Sequence, residues 1–463
     1  MSFMIILVSL ALLMIVAYRG FSVILFAPIC ALIAVAFTDV SLIPPLFNGI
    51  FMEKLVGFVK LYFPVFLLGA VFGKLIELSG FSKSIVASVI KIVGRERAIL
   101  SIVLVCAILT YGGVSLFVVV FAVYPFAAEM FRQSDIPKRL IPGTIALGAF
   151  TFTMDSLPGS PQIQNIIPTT FFNTNTWAAP WLGVIGAVFI LVIGLMYLNW
   201  RRRQAAVAGE GYGSGHINEP TEYKAEKLPN AFVALFPLLV VGVMNKILTE
   251  LIPRYYGEIH STTLSGSAKP LVTDIHKIGA IWAVEGALLL GILCILLFAF
   301  KTVKNQFADG SKAAVSGALL ASLNTASEYG FGGIIAAMPG FAVISDALKS
   351  IPNPLINESI TVTVLAGITG SASGGMSIAL AAMSETFIKA ANAAHIPMEV
   401  LHRVASMASG GMDTLPHNGA VITLLAVTGL THKTSYKDIF AVTLIKTAAV
   451  FVVIAVYYLT GIY

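Results

Sequence analysis

The chain has 463 residues, 57% of them hydrophobic and only 11% charged, with a mean hydropathy of +0.89. A soluble domain typically carries roughly 25% charged residues, so the composition excludes soluble classes and leaves a polytopic membrane protein. The net charge of +6 is not a nucleic-acid footprint, because the basic residues fall in short loops between apolar stretches, as in cytoplasmic loops.

A bilayer span needs roughly 20 apolar residues. Residues 2–18 and 21–38 are the first two candidates, joined at Arg19-Gly20. The start has no basic region and no small-residue cleavage site, so 2–18 reads as a retained span. Residues 39–54, with Pro44, Pro45 and Asn48, read as interfacial, and a third span covers about 55–78. Basic residues Lys83, Lys91, Arg95 and Arg97 follow. The apolar stretch 98–131 is interrupted at Tyr111-Gly112-Gly113-Val114-Ser115 and flanked by basic residues on both sides, so it predicts a hairpin. Residues 140–170 contain a break at Asp155, and 177–199 form a span that ends in Arg201-Arg202-Arg203.

A hydrophilic linker, 201–229, separates this first half from a second one (230–463), and its arginine run places it in the cytoplasm. Spans are expected at 230–250, 278–300 and 313–338, with a polar loop at 252–277. A second interrupted hairpin covers 360–392, a second break falls in 400–428 at Asp413, and 438–460 is the last span. The cysteines, Cys30, Cys106 and Cys294, lie far apart in apolar segments without metal spacing and read as small buried hydrophobes.

Three landmarks recur in order at nearly one offset. MDSLPGSPQ (154–162) returns as MDTLPHN (412–418), with Asp155 and Asp413 separated by 258 positions (413 − 155). Gly112-Gly113-Val114-Ser115 matches Gly374-Gly375-Met376-Ser377 at 262 (374 − 112), and Gly73 matches Gly333 at 260 (333 − 73). The chain therefore reads as two repeats, 1–200 and 230–463, each with five spans and one hairpin. That makes about ten transmembrane helices plus two re-entrant hairpins in an all-α membrane protein. An odd number of spans inverts the second copy and places both termini outside. Inverted repeats with paired broken helices are the layout of a secondary transporter.

Each break sets a carboxylate beside a proline inside an apolar segment. Pro158 and Pro416 remove backbone donors, and the carbonyls this frees must find partners in protein, ions or water. Asp155 and Asp413 can carry a proton or ligate sodium; the plainer reading is that each caps the half-helix that follows. Glu328, mid-span beside Asn324, Thr325, Ser327 and Tyr329, is a further proton or substrate contact, or else an inter-helix hydrogen bond. The tips, Gly112, Gly113 and Ser115 and then Ser373, Gly374, Gly375 and Ser377, let backbone approach a ligand and aim helix ends at it. Their plainer reading is close helix packing. Ser156, Gly159, Ser160, Thr414, His417 and Asn418 complete the expected substrate set. Gly69-xxx-Gly73-Lys74 lacks the spacing of a phosphate loop, so a nucleotide-driven pump is not supported.

TASEYGFGG (325–333), the hairpin-tip motifs and the paired MD[ST]LP breaks give the chain a resemblance to the gluconate permease (GntP) family of the ion transporter superfamily. The opening MSFMIILVSLALLMIVAYRGFSVILFAP is similar to that family's β-hydroxybutyrate permease branch. The resemblance implies proton-coupled symport of a hydroxy acid, such as 3-hydroxybutyrate or gluconate, into the cell. It also implies a homodimer with scaffold and elevator-like transport domains in a bacterial inner membrane. The substrate would sit among Gly112 to Ser115, Asp155 to Ser160, Ser373 to Ser377 and Asp413 to Asn418.

No cofactor is expected beyond a coupling H⁺ or Na⁺, and no partner beyond a small carboxylate, the bilayer and a second copy. The stretches 144–165, 321–345, 366–384 and 408–428 contain no Arg or Lys, which suits a monoanion held by neutral donors. Two rivals are weaker. An intramembrane aspartyl protease would use two aspartates, but in Tyr-Asp and Gly-x-Gly-Asp contexts absent here. An anion channel would show charged pore rings, which are not evident.

Overall fold

The computed structural model describes residues 2–19, 21–220, 228–263, 269–341, 351–416 and 418–463. The expected site residue His417 and the turn residue Gly20 lie outside them, as does part of the expected linker.

In the first half the helices are α1 Ser2–Tyr18, α2 Val23–Ala36, the short α3 Ile43–Leu46, α4 Glu53–Leu78 and α5 Phe81–Val93. Then come α6 Ala98–Tyr111, α7 Leu116–Gln133, α8 Ile141–Ala149, the single turn α9 Phe152–Asp155, α10 Ile163–Phe172 and α11 Pro180–Val207. The second half holds α12 Ala231–Tyr256, strands β1 Ile259–Thr262 and β2 Leu271–Asp274, α13 Ile275–Val303 and α14 Phe307–Ala337. It ends with α15 Pro354–Thr369, α16 Ala372–Ala393, α17 Met398–Ser409, α18 Gly419–Thr428 and α19 His432–Thr460.

Five described runs are long and apolar enough to cross a bilayer: 40–78, α11, α12, α13 and α19. At 1.5 Å per residue, the 26 residues of α12 reach about 39 Å, enough for a core of roughly 30 Å. Large apolar side chains such as Trp181, Met196, Leu239 and Leu297 face outward, where lipid takes the place of a protein core. The protein is an integral membrane protein, mostly helical.

Two departures from expectation have simple causes. Helix α11 runs straight through Arg201-Arg202-Arg203 to Val207, so the linker begins seven residues later than the composition shift. Arginine is a good helix former, and Arg201 is held by Asp438 at 2.6 Å. The polar loop 252–277 contains an antiparallel hairpin, β1 with β2, pairing Ile259 with Asp274 and Thr262 with Leu271. Strands this short carry too little alternation to read.

Packing fixes where the breaks meet. Helices α4 and α14 lie against each other, as do α12 and α13. The half-helix α10 packs on α16 and α17, and α18 packs on α7. Half-helix α8 reaches across to α19 of the other half. Most buried apolar residues form one core around these elements; a smaller core joins α1 and α2 to Phe331, Ile334, Ile335 and Ile378.

Candidate functional site

The first break opens where α8 ends at Ala149 and closes where α10 starts at Ile163. Pro158 and Pro161 lie between and offer no N–H. The freed carbonyls are satisfied by protein. Thr153 O accepts from Ser160 Oγ at 2.7 Å, Pro158 O from Tyr111 at 2.9 Å and Gly159 O from Asn245 at 3.0 Å. Asp155 O accepts from Ser406 Oγ at 2.8 Å and from Arg403 Nη1 at 3.0 Å. Arg403 is fully buried and spends its other donors on Ala178 O and Asn165 Oδ1.

The second break runs from Gly410 to Asn418, and Asn418 is the N-cap of α18, its Oδ1 accepting from Ala420 N at 2.7 Å and Val421 N at 3.1 Å. Asn418 Nδ2 donates to Gly370 O at 2.7 Å. In the first half Gln162 Nε2 donates to Thr110 O at 2.7 Å. An amide past each break therefore ties that break to the hairpin tip of its own half. The capping role expected of the aspartates belongs to Asn418, and α10 has no side-chain cap at Gln162.

The aspartates instead face a cation. Lys446, in the middle of α19 and 1% exposed, pairs with the Asp413 carboxylate and donates to Phe150 O at 3.1 Å. One ammonium thus spans both breaks. Asp155 is buried, accepts from Ser156 Oγ at 2.7 Å and forms no ion pair among the described residues. Its Oδ2 lies against Gly410, where an added Cβ would fall 1.9 Å away. Asp155 feels both the attraction of Lys446 and the repulsion of Asp413. The expectation that no Lys or Arg reaches this region is overturned. Both cations come from outside the four stretches that contain no Arg or Lys: Arg403 from the half-helix before the second break, Lys446 from a separate helix. A lone lysine inside an apolar span was the available signal for Lys446.

Glu328 is placed elsewhere. It is buried on α14 against the start of α16, and its Oε2 has no partner. A Cβ on Gly374 would lie 1.7 Å from that oxygen, so this glycine makes room for the Glu328 carboxylate. Gly375 is pressed on Ala366, with a Cβ 2.2 Å from its backbone, which is the plain helix-packing role. The second hairpin turns at Gly370-Ser371, not at residues 373–377. Gly370 ends α15 with φ of +65° and Ser371 caps α16 through Gly374 N. Gly374, Gly375 and Ser377 stand in the first turns of α16.

The other expected contacts are distributed as follows. At the first tip Gly113 takes φ of +94°, Gly112 abuts Leu238, and Ser115 starts α7 without a side-chain cap. Gly159 lies under Trp177, where a Cβ would come within 2.4 Å. Ser373 meets Thr325 Oγ1 at 3.2 Å, and Thr414 meets Thr443. Ser377 is buried with an unpartnered hydroxyl and lines a cavity of about 680 Å³. Tyr329 lines it too, with Lys54, Lys60 and Lys277 set against Glu53 and Asp274. The β1–β2 hairpin contributes Leu271 to Asp274 to its wall.

No protein-family model matches the chain. It is 58% identical over 470 aligned positions to the uncharacterized transporter YxjC of Bacillus subtilis (strain 168), covering 100% of both chains. The chain belongs to the same transporter family. Among solved structures it resembles the Alcanivorax borkumensis YdaH transporter, with a TM-score of 0.55 and 13% identity over 89% of this chain and 88% of that one. It also resembles Neisseria gonorrhoeae MtrF, of a class of antimetabolite efflux pumps, with a TM-score of 0.54 and 12% identity over 87% and 82%. At such identities these two share its fold. The protein is a membrane transporter and not an enzyme.

Proposed function

We propose that the chain is a proton-coupled symporter that brings a small organic monoanion into the cell, a hydroxy acid such as 3-hydroxybutyrate or gluconate. The observation that carries this reading is Lys446 held between the breaks, bonded to Phe150 O of one and to Asp413 of the other. Asp155 beside it has no cation of its own and is the proton carrier. When Asp155 is protonated, Lys446 belongs to Asp413 alone. When Asp155 is ionised, the two carboxylates compete for one ammonium, and the breaks are pulled into a different balance. A proton and a substrate that both favour one balance are thereby coupled.

The recurrence of hairpin then broken helix, α6 to α10 and again α15 to α18, supports two inverted repeats, 1–200 and 230–463. The basic loops support the orientation. Arg139 bonds Glu210 of the linker, Arg201 bonds Asp438, and Ser84 bonds Pro229 O, so these loops share one face, the cytoplasmic one. The cavity beside β1–β2 then opens outward. Its three lysines draw an anion toward Ser377 and the start of α16. Scaffold and elevator domains, a homodimer and residence in a bacterial inner membrane follow from the resemblance to gluconate permeases. Sodium at the second break is disfavoured, because it would have to displace an ammonium from Asp413.

The test is Asp155→Asn in proteoliposomes. We expect it to exchange labelled for unlabelled substrate but not to accumulate it under a pH gradient. Wild-type accumulation by Asp155→Asn would remove Asp155 from the coupling role.

A further inference from the structure

Around Glu328 several polar atoms are buried without partners, and the transport reading above uses only Ser377 among them, as the inner end of the anion's path. They are Glu328 Oε2, Ser327 Oγ and Asn324 Oδ1 on α14, and Ser377 Oγ on α16. Ser327 and Ser377 are fully buried and Glu328 is 4% exposed. Asn324 and Glu328 are four residues apart and share a face of α14. Gly374 and Ser377, three apart, share the face of α16 that meets Glu328. The two helices run side by side here, with Thr325 against Ser373 and Gly332 against Ile378.

A buried polar group without a partner costs free energy, and Glu328 Oε2, Asn324 Oδ1 and Ser377 Oγ lie on the faces along which the two helices meet, whereas Ser327, one residue from Glu328, faces another side of α14. Every one of them is an oxygen. Hard cations take oxygen donors, whereas transition metals seek nitrogen and sulfur. Among the described residues no three His, Cys, Asp or Glu side chains come together to hold a metal ion. One carboxylate with neutral oxygens balances a single positive charge. Calcium sites, by contrast, usually gather several carboxylates. An entry path exists, because Ser377 and Tyr329 also line the outward cavity.

We propose that Glu328, Asn324 and Ser377 form a binding site for one monovalent cation, for which sodium is the probe. The ion fastens the second hairpin to α14 by joining oxygens of both. This site is separate from the Asp155–Lys446–Asp413 cluster, so it stands or falls independently of the proton reading.

The experiment uses the purified full chain in detergent without substrate, at fixed pH and ionic strength, exchanging choline chloride for sodium chloride. Sodium raises the unfolding midpoint by about 3 °C or more, and ²²Na⁺ binding saturates at one ion per chain. Ser377→Ala weakens ²²Na⁺ affinity at least tenfold, and Glu328→Gln abolishes it. Asp155→Asn retains it, which separates this site from the coupling aspartate. If Glu328→Gln fails to fold, Ser377→Ala and Asn324→Ala decide the matter by their affinities. Equal midpoints in sodium and choline with no saturable ²²Na⁺ binding would overturn the site and leave these oxygens to water or a proton. Binding unchanged in both Ser377→Ala and Asn324→Ala would overturn it as well.

Discussion

At the scale of single residues, the weight falls on a lysine marked in the sequence only by standing alone inside an apolar span. Lys446 lies 33 positions beyond Asp413 and in another helix. Its ammonium is buried, so it stands only because Asp413 and Phe150 O satisfy it. Removing one partner of a buried pair leaves an uncompensated charge, typically at a cost of about 3–5 kcal/mol. Lys446→Met should therefore lower the thermal midpoint sharply, and Asp413→Asn added to it should recover much of the loss. If the double variant is no more stable than Lys446→Met, the two residues are not a pair. Asp155 and Asp413 could be singled out by sequence alone, because a carboxylate next to a proline inside an apolar run is rare. Their partners were hidden by the chain's return from distant helices. Arg403 likewise supports the first break from the second, bonding Asp155 O, Asn165 and Ala178 O.

At the scale of elements, the two hairpins and two breaks follow from local chemistry. Glycine and proline interrupt apolar runs, and the structure breaks them near those points. The second turn is a correction with a physical cause. Gly370 and Ser371 supply a left-handed end and a cap, while Gly374-Gly375 serve contacts made sideways. Gly375→Val is expected to be more damaging than Gly374→Ala paired with Glu328→Gln, since its Cβ meets immovable backbone. Expression and monodispersity of the two proteins measure this; equal behaviour would contradict the packing role of Gly375. The β1–β2 hairpin was illegible because four-residue strands in a polar loop give almost no periodic signal.

The linker adds a pH-dependent contact between Glu210 and Arg139. Arg139 bonds both oxygens of Glu210, at 2.6 and 2.7 Å, and holds that carboxyl below its ordinary value of 4.5. A carboxyl lowered in the folded state stabilises fully above its ordinary value and loses that contribution as pH falls through the lowered one. The contact should hold at neutral pH and loosen below about pH 4.5. Hydrogen exchange at residues 208–212, corrected for intrinsic rates, should rise on acidification. It should already be raised at pH 7 in Arg139→Gln. No difference between the two proteins at pH 7 would mean that the strap is held without this pair.

At the scale of the whole molecule, the fold is that of a transporter, and it holds two kinds of polar cluster. The buried aspartates and Lys446 join the two breaks at the centre, and the lysine-rimmed cavity reaches Ser377 from one side. The case for two halves rests on motifs that recur in order, whereas the cavity was not legible, since its wall draws on α4, α10, the β-hairpin, α14 and α16 together. The central claim is that a proton gradient drives uptake of a small monoanion. Its most direct measurement is uptake of labelled 3-hydroxybutyrate, and then gluconate, into proteoliposomes, with sodium equal on both sides and a pH gradient imposed. The account predicts accumulation of one of these anions above equilibrium, collapsing when a protonophore dissipates the gradient. Accumulation that ignores the pH gradient and appears only under a sodium gradient would contradict it.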